Sequence, residues 1–132
     1  MSPPGRGLAK GPYIVVADED PQLLNLMVRT LRDAGYCVFQ AYDGRAAYDL
    51  SLALRSLDLL VTNTRMPGLE GPELIRQVRE ELPGLPILYV KNQDQAADPP
   101  PDGLPADVPT LAEPFTDRQL LEAVRQLLAR DD

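Results

Sequence analysis

The chain has 132 residues, 44% of them hydrophobic, and 20 acidic against 13 basic side chains give it a formal net charge of −7. That length fits one domain burying roughly two-thirds of its unfolded surface, so folding needs no disulfide or metal staple. The composition excludes a disordered chain and a coiled-coil rod, and the acidity, with lysine only at Lys10 and Lys91, argues against a nucleic-acid-binding face.

Residues 1–11 are rich in Pro, Gly and Arg, lack the apolar stretch of a signal peptide, and are expected to be a disordered lead to a single domain over 12–130. Tyr13 to Ala17 is a short apolar run with β-branched residues, which predicts a strand buried on both faces. It stops at Asp18-Glu19-Asp20. Asp20 is a good N-cap and Pro21 a good first helical residue. Leu23, Leu24, Met27, Val28 and Leu31 then mark one helical face, and Gly35 stops the helix.

Tyr36 to Ala41 predicts a second strand, Arg45 to Arg55 a second helix, and Leu59 to Thr62 a third strand. Met66-Pro67-Gly68 is a turn. A helix over Pro72 to Leu82 carries Leu74, Ile75 and Val78 on one face and ends at Pro83-Gly84. Pro86 to Val90 predicts a fourth strand and Val108 to Leu111 a weak fifth. Thr116 to Ala129 is the last helix, opened by a Thr116/Gln119 capping box.

Short buried strands joined by helices imply a parallel sheet with helices on both faces, an α/β doubly wound fold. In such folds ligands sit at the carboxyl ends of the strands. Residues 92–109 break the alternation. They hold five prolines, including Pro99-Pro100-Pro101, which cannot sit inside a helix. The helix between strands four and five is therefore expected to be lost or much shortened, leaving an acidic proline-rich loop. That loop is either plainly solvated or a partner-docking segment.

A single cysteine, Cys37, excludes an internal disulfide and suits a reducing, cytoplasmic setting. It reads as a small apolar strand residue. The absence of histidine excludes chemistry that uses it as base or metal ligand. No apolar run approaches the length of a membrane span.

Three segments carry a resemblance: Asp18-Glu19-Asp20-Pro21 after strand one, the run from Asp58 through Asn63 and Met66-Pro67-Gly68 to Gly71, and Glu113-Pro114-Phe115 after strand five. In this order and spacing the chain resembles the receiver domain of bacterial two-component response regulators, from Tyr13 to about Ala129. The resemblance implies a five-stranded parallel sheet of order 2-1-3-4-5. It also implies a strand-end pocket in which two acids bind Mg²⁺ and an Asp accepts a phosphoryl group. A Ser or Thr and a Lys contact the phosphoryl oxygens.

Carried over residue by residue, the resemblance puts the acidic pair on Asp18 and Glu19 and the phosphoacceptor position on Asn63. The Ser/Thr position falls on Lys91, the lysine position on Glu113, and the aromatic switch position on Thr110. An amide cannot form the acyl phosphate, and a carboxylate at 113 repels a phosphoryl group rather than holding it. A register slip brings Thr62 or Thr64 to the site, and neither is an acid. Asp18 and Glu19 are either a vestigial Mg²⁺ pair, binding weakly, or a helix-terminal charge cluster. Lys91 is expected to pair with Glu113 or Asp18 and fill the pocket from within. Arg65 sits beside the pocket, either paired with Glu19 or Glu113 or exposed.

The expected function is that of a degenerate, phosphorylation-independent receiver. It is not an enzyme, requires no cofactor, and works by protein–protein interaction in a two-component pathway. Its partner would be a sensor kinase, a regulator, an output protein or a second copy of the chain. No nucleic acid or membrane is expected as partner, and no output domain follows the last helix within these residues. The alternative is a true phosphoacceptor receiver whose acceptor site has been altered. A small-ligand sensor is a third reading, with no ligand indicated.

Overall fold

Tyr13–Ala17 forms strand β1, whose residues after Tyr13 are fully buried as the apolar run predicts. It leads into helix α1, Pro21–Asp33, capped by the Asp20 side chain accepting from the Gln22 N–H at 3.0 Å. Gly35, at φ +100°, takes the left-handed turn out of this helix that a side chain would strain. Strand β2, Cys37–Ala41, follows, then helix α2, Gly44–Ala53, capped by Asp43 accepting from the Ala46 N–H at 2.8 Å. Strand β3 is Leu57–Asn63, helix α3 Gly71–Glu81, strand β4 Ile87–Lys91, strand β5 Thr110–Ala112 and helix α4 Asp117–Ala129. The Thr116/Gln119 box opens α4, each backbone N–H donating to the other's side chain at 2.8 and 3.0 Å.

These elements come from a computed structural model that describes residues 11–54, 56–63, 68–92 and 103–129. The expected lead at 1–10, Thr64, Arg65, Met66-Pro67 and the Pro99–Pro101 triplet lie outside the described residues. All strands pair in parallel, in the order β2-β1-β3-β4-β5. Strand alternation divides the core in two. Ile14, Val16, Leu59, Val61, Leu88 and Val90 pack against α1 and α4. Val15, Ala17, Leu60, Ile87 and Tyr89 pack against α2 and α3. Among the described residues no helix is long and apolar enough to cross a membrane.

Most strand ends differ from the sequence reading by one residue at most, and two strand starts differ by two. β3 begins two residues early because Asp58, polar and exposed, sits inside it and accepts from the Tyr13 N–H at 2.9 Å. β5 begins later than expected, at Thr110, because Val108 is spent on a turn, its N–H donating to the Pro105 carbonyl at 3.1 Å. Gly44 lets the backbone entering α3 lie close against α2. A Cβ at Gly44 would sit 1.9 Å from the Leu69 carbonyl oxygen.

Between β4 and β5 the described stretch 103–109 contains turns and no helix. Arg79 on α3 ties it down. Its guanidinium donates to both Asp107 carboxylate oxygens, at 2.9 and 2.7 Å, and twice to the Leu85 carbonyl, at 3.1 and 2.8 Å. One planar fork thus joins the loop to the turn before β4. Arg79→Ala is expected to lower stability by about 1–2 kcal/mol in urea denaturation, mainly through the orphaned Leu85 carbonyl, since the Asp107 end is solvated. Arg79→Lys should recover only part of it, because an ammonium cannot reproduce the fork.

Candidate functional site

The parallel sheet carries every sequence-predicted site residue except Thr110 to its carboxyl edge. β1 delivers Asp18, β3 ends on Asn63, β4 ends on Lys91, and β5 delivers Glu113. The register holds them in a row, with Ala17 opposite Thr62, Asn63 opposite Val90, and Lys91 opposite Ala112. Asn63 is fully buried and Lys91 is 7% exposed. Thr110, by contrast, opens β5, is exposed, and pairs with Tyr89, so it stands outside the strand-end cluster.

Asp18 is fully buried, and its Oδ1 accepts from the Asp20 backbone N–H at 2.8 Å. Its Oδ2 has no hydrogen-bond partner. Burial pushes the carboxyl up to about 6, the Asp20 N–H opposes this, and the charges of Asp20, Glu113 and Glu19 push it further the same way. Glu19 and Asp20 are themselves exposed.

β1 and β5 have two strands between them, so their backbones stand roughly 14 Å apart at about 4.8 Å per strand. The Glu113 backbone N–H donates to the Lys91 carbonyl at 3.0 Å. The expected Lys91–Asp18 pair is not made, since Oδ2 receives no donor.

Sequence reasoning missed two residues here. Asn92, the residue after β4, accepts at its Oδ1 from the Asn63 amide Nδ2. A polar residue directly after a buried strand is the only signal for it. Tyr89 is fully buried on β4, with its hydroxyl unpartnered and pushed up to about 12 by burial and by Glu70. In the sequence it is indistinguishable from one more apolar strand residue.

As Mg²⁺ ligands these residues fit poorly. A hard dication needs several converging oxygens. Among the described residues no group of three or more acid, histidine or cysteine side chains could hold a metal ion. Asp18 offers one open oxygen, Glu19 faces solvent, and Asn63 brings a neutral amide where a third carboxylate would be needed.

A doubly wound parallel sheet of order 2-1-3-4-5 defines the flavodoxin-like fold. Residues 14–125 match the response regulator receiver domain, and the chain belongs to that family. It is 31% identical over 115 residues to the response regulator receiver protein CpdR of Brucella abortus, covering 87% of this chain and 95% of that protein. It is 37% identical over 118 residues to the response regulator MprA of Mycolicibacterium vanbaalenii, covering 89% of this chain and 50% of the relative. The chain thus spans nearly all of one relative and half of the other. A putative response regulator from Chloroflexus aurantiacus superposes with a TM-score of 0.79 at 28% identity, covering 92% of this chain and 100% of that one.

Proposed function

We propose that this receiver domain signals by docking to protein partners and does not accept a phosphoryl group at its strand-end pocket. One observation carries the reading. The buried last residue of β3 is Asn63, an amide where phosphoryl transfer needs a carboxylate nucleophile. Glu113 supports it, because a carboxylate directly after β5, beside the end of β4, repels a phosphoryl group. The domain then works in the cytoplasm without catalysis and without a required metal. Its partner is a sensor kinase, a regulator, an output protein or a second copy of the chain.

The test is intact mass after incubation with Mg²⁺ and a small phosphodonor, with Asn63→Asp in parallel. The expected result is no adduct on the parent chain. An adduct on the parent would overturn the reading. If Asn63→Asp gains one phosphoryl group, the competing view of an altered but otherwise competent acceptor site is favoured. If it stays unmodified, Glu113 and Lys91 close the pocket without help from Asn63.

A further inference from the structure

The two edge strands of the sheet differ in how they are covered. β2 and β5 each pair on one side only. In β2 the Cys37 N–H donates to the Pro12 carbonyl at 2.9 Å, and the Ala41 carbonyl accepts from the Asp18 N–H at 3.2 Å. Backbone groups alternate in direction along a strand, so Val38 and Gln40 face outward. The outward Val38 carbonyl is closed by the Arg32 guanidinium, which donates to it at 2.7 Å. Such a cover blunts an edge against pairing with another chain.

β5 lacks that cover. The Pro109 carbonyl accepts from the Tyr89 N–H and the Glu113 N–H donates to the Lys91 carbonyl, both at 3.0 Å. By the same alternation Leu111 faces β4, while Thr110 and Ala112 turn their N–H and C=O groups outward. Among the described residues none of these outward groups has a hydrogen-bond partner. A groove of about 410 Å³ lies beside this edge, between β5 and α4. Leu111 and Ala123 are its apolar floor, both packed against the core. Arg118 and Glu122 rim it. Glu122 is engaged by Arg125 at 3.4 Å and by Gln126 at 3.3 Å. Arg118 is exposed and has no partner among the described residues, so the uncompensated charge of the groove is positive.

We infer that β5 takes up an extended, acidic peptide segment of a protein partner as a sixth strand of the sheet, with one apolar side chain in the groove and a carboxylate on Arg118. Residues opposite each other in a strand pair point to the same face, so the segment's residue beside Leu111 enters the groove. Residues two apart share that face, which turns an acid at that spacing toward α4 and Arg118. Main-chain bonds to Thr110 and Ala112 supply affinity, and the groove supplies selection. The edge of three residues is about 10 Å long. That is short for the ~1,200 Å² that a stable interface between folded proteins buries, which favours a flexible segment over a second copy. The inference rests on the docking role proposed above and gives it a surface outside the strand-end pocket.

The test uses the whole chain, ¹⁵N-labelled, with acetyl-Thr-Glu-Thr-Val-Thr-amide as probe. Saturable amide shifts are expected at Thr110, Leu111, Ala112, Arg118 and Ala123. Hydrogen exchange should slow at the outward Thr110 and Ala112 amides and stay unchanged at Leu111 and Glu113, which face β4. N-methylation of the Thr-Val-Thr amides of the peptide should abolish binding, because it removes the bonds to β5. Thr110→Pro deletes one outward N–H without touching the bonds to β4, and should weaken the peptide about tenfold. Arg118→Glu should weaken it about fivefold, the size of one exposed charge pair. Spectral dispersion shows whether each variant is folded. The inference is overturned if the parent shows no saturable shift, if the N-methylated peptide binds as well as the unmodified one, or if both variants bind like the parent. It is also overturned if the chain sediments as a dimer that Thr110→Pro splits, since a second copy would then hold the edge. A phosphoryl adduct in the mass experiment counts against the docking role itself. A silent peptide titration without an adduct counts only against the β5 edge.

Discussion

At about pH 7.5, Asp18→Asn is expected to be more stable than the parent chain by about 1–3 kcal/mol. The carboxyl is fully buried and is pushed from 3.8 to about 6. Each unit of such a shift is worth about 1.4 kcal/mol, which sets the upper figure at about 3 kcal/mol. The sign is the reverse of the usual acid. A carboxyl raised in the folded state binds its proton more tightly there than in the unfolded chain. Its cost to stability is therefore absent below about 4, grows between 4 and 6, and is complete above 6. The parent should gain from this group as pH falls from neutral toward 4, and the variant should not. The side-chain amide of the variant keeps an oxygen for the Asp20 N–H, so that hydrogen bond is retained. Urea denaturation of both proteins across this range gives the difference directly. A difference that stays constant with pH would mean that the Asp18 charge is not what costs stability.

An acid retained at that cost belongs with the pocket's use rather than with folding. The same separation governs what the sequence could disclose. The helices and buried strands were legible because their signals are local. Apolar periodicity, Asp20 and Asp43 as caps, and the Thr116/Gln119 box all act within a few residues. The strand order became legible only through the resemblance carried by the acidic cluster, the turn after Asn63, and Glu113-Pro114-Phe115. What stayed hidden was side-chain direction. Nothing in the order of residues says that Asp18 keeps one oxygen bare, or that Asn63 donates to Asn92 across the strand ends. The Arg79 fork escaped notice for the same reason, since Asp107 lies 28 positions away from it. Asp58 hid the start of β3 because a charged residue reads as a strand end, although here it closes the β1 edge by binding the Tyr13 N–H.

The substitution that restores the family's carboxylate, Asn63→Asp, is expected to destabilise the chain by about 2–4 kcal/mol at neutral pH, the scale of an uncompensated buried charge. Asn63 is fully buried, and its Nδ2 donates to Asn92 Oδ1. A carboxylate cannot donate. Asn92 can turn its own amide to meet the new oxygen, which limits the hydrogen-bond loss and leaves the charge as the larger cost. That charge lies on the strand next to Asp18, with the Glu113 carboxylate already acting on the same place. Two carboxyls so placed cannot both ionise cheaply, so the pair holds a proton to higher pH than Asp18 alone. The destabilisation should therefore be largest at alkaline pH and shrink as pH falls.

A four-protein cycle of parent, Asn63→Asp, Asp18→Asn and the double variant isolates this repulsion. The double variant should be more stable than additivity predicts, by about 1–2 kcal/mol. Strict additivity would show that the two side chains do not share one pocket. Millimolar Mg²⁺ should return part of the lost stability to Asn63→Asp, because the added carboxylate supplies the converging oxygen the parent lacks, and should leave the parent unmoved. Asn63 then has two consequences at once. It removes the nucleophile, and it spares the fold a second buried acid beside Asp18.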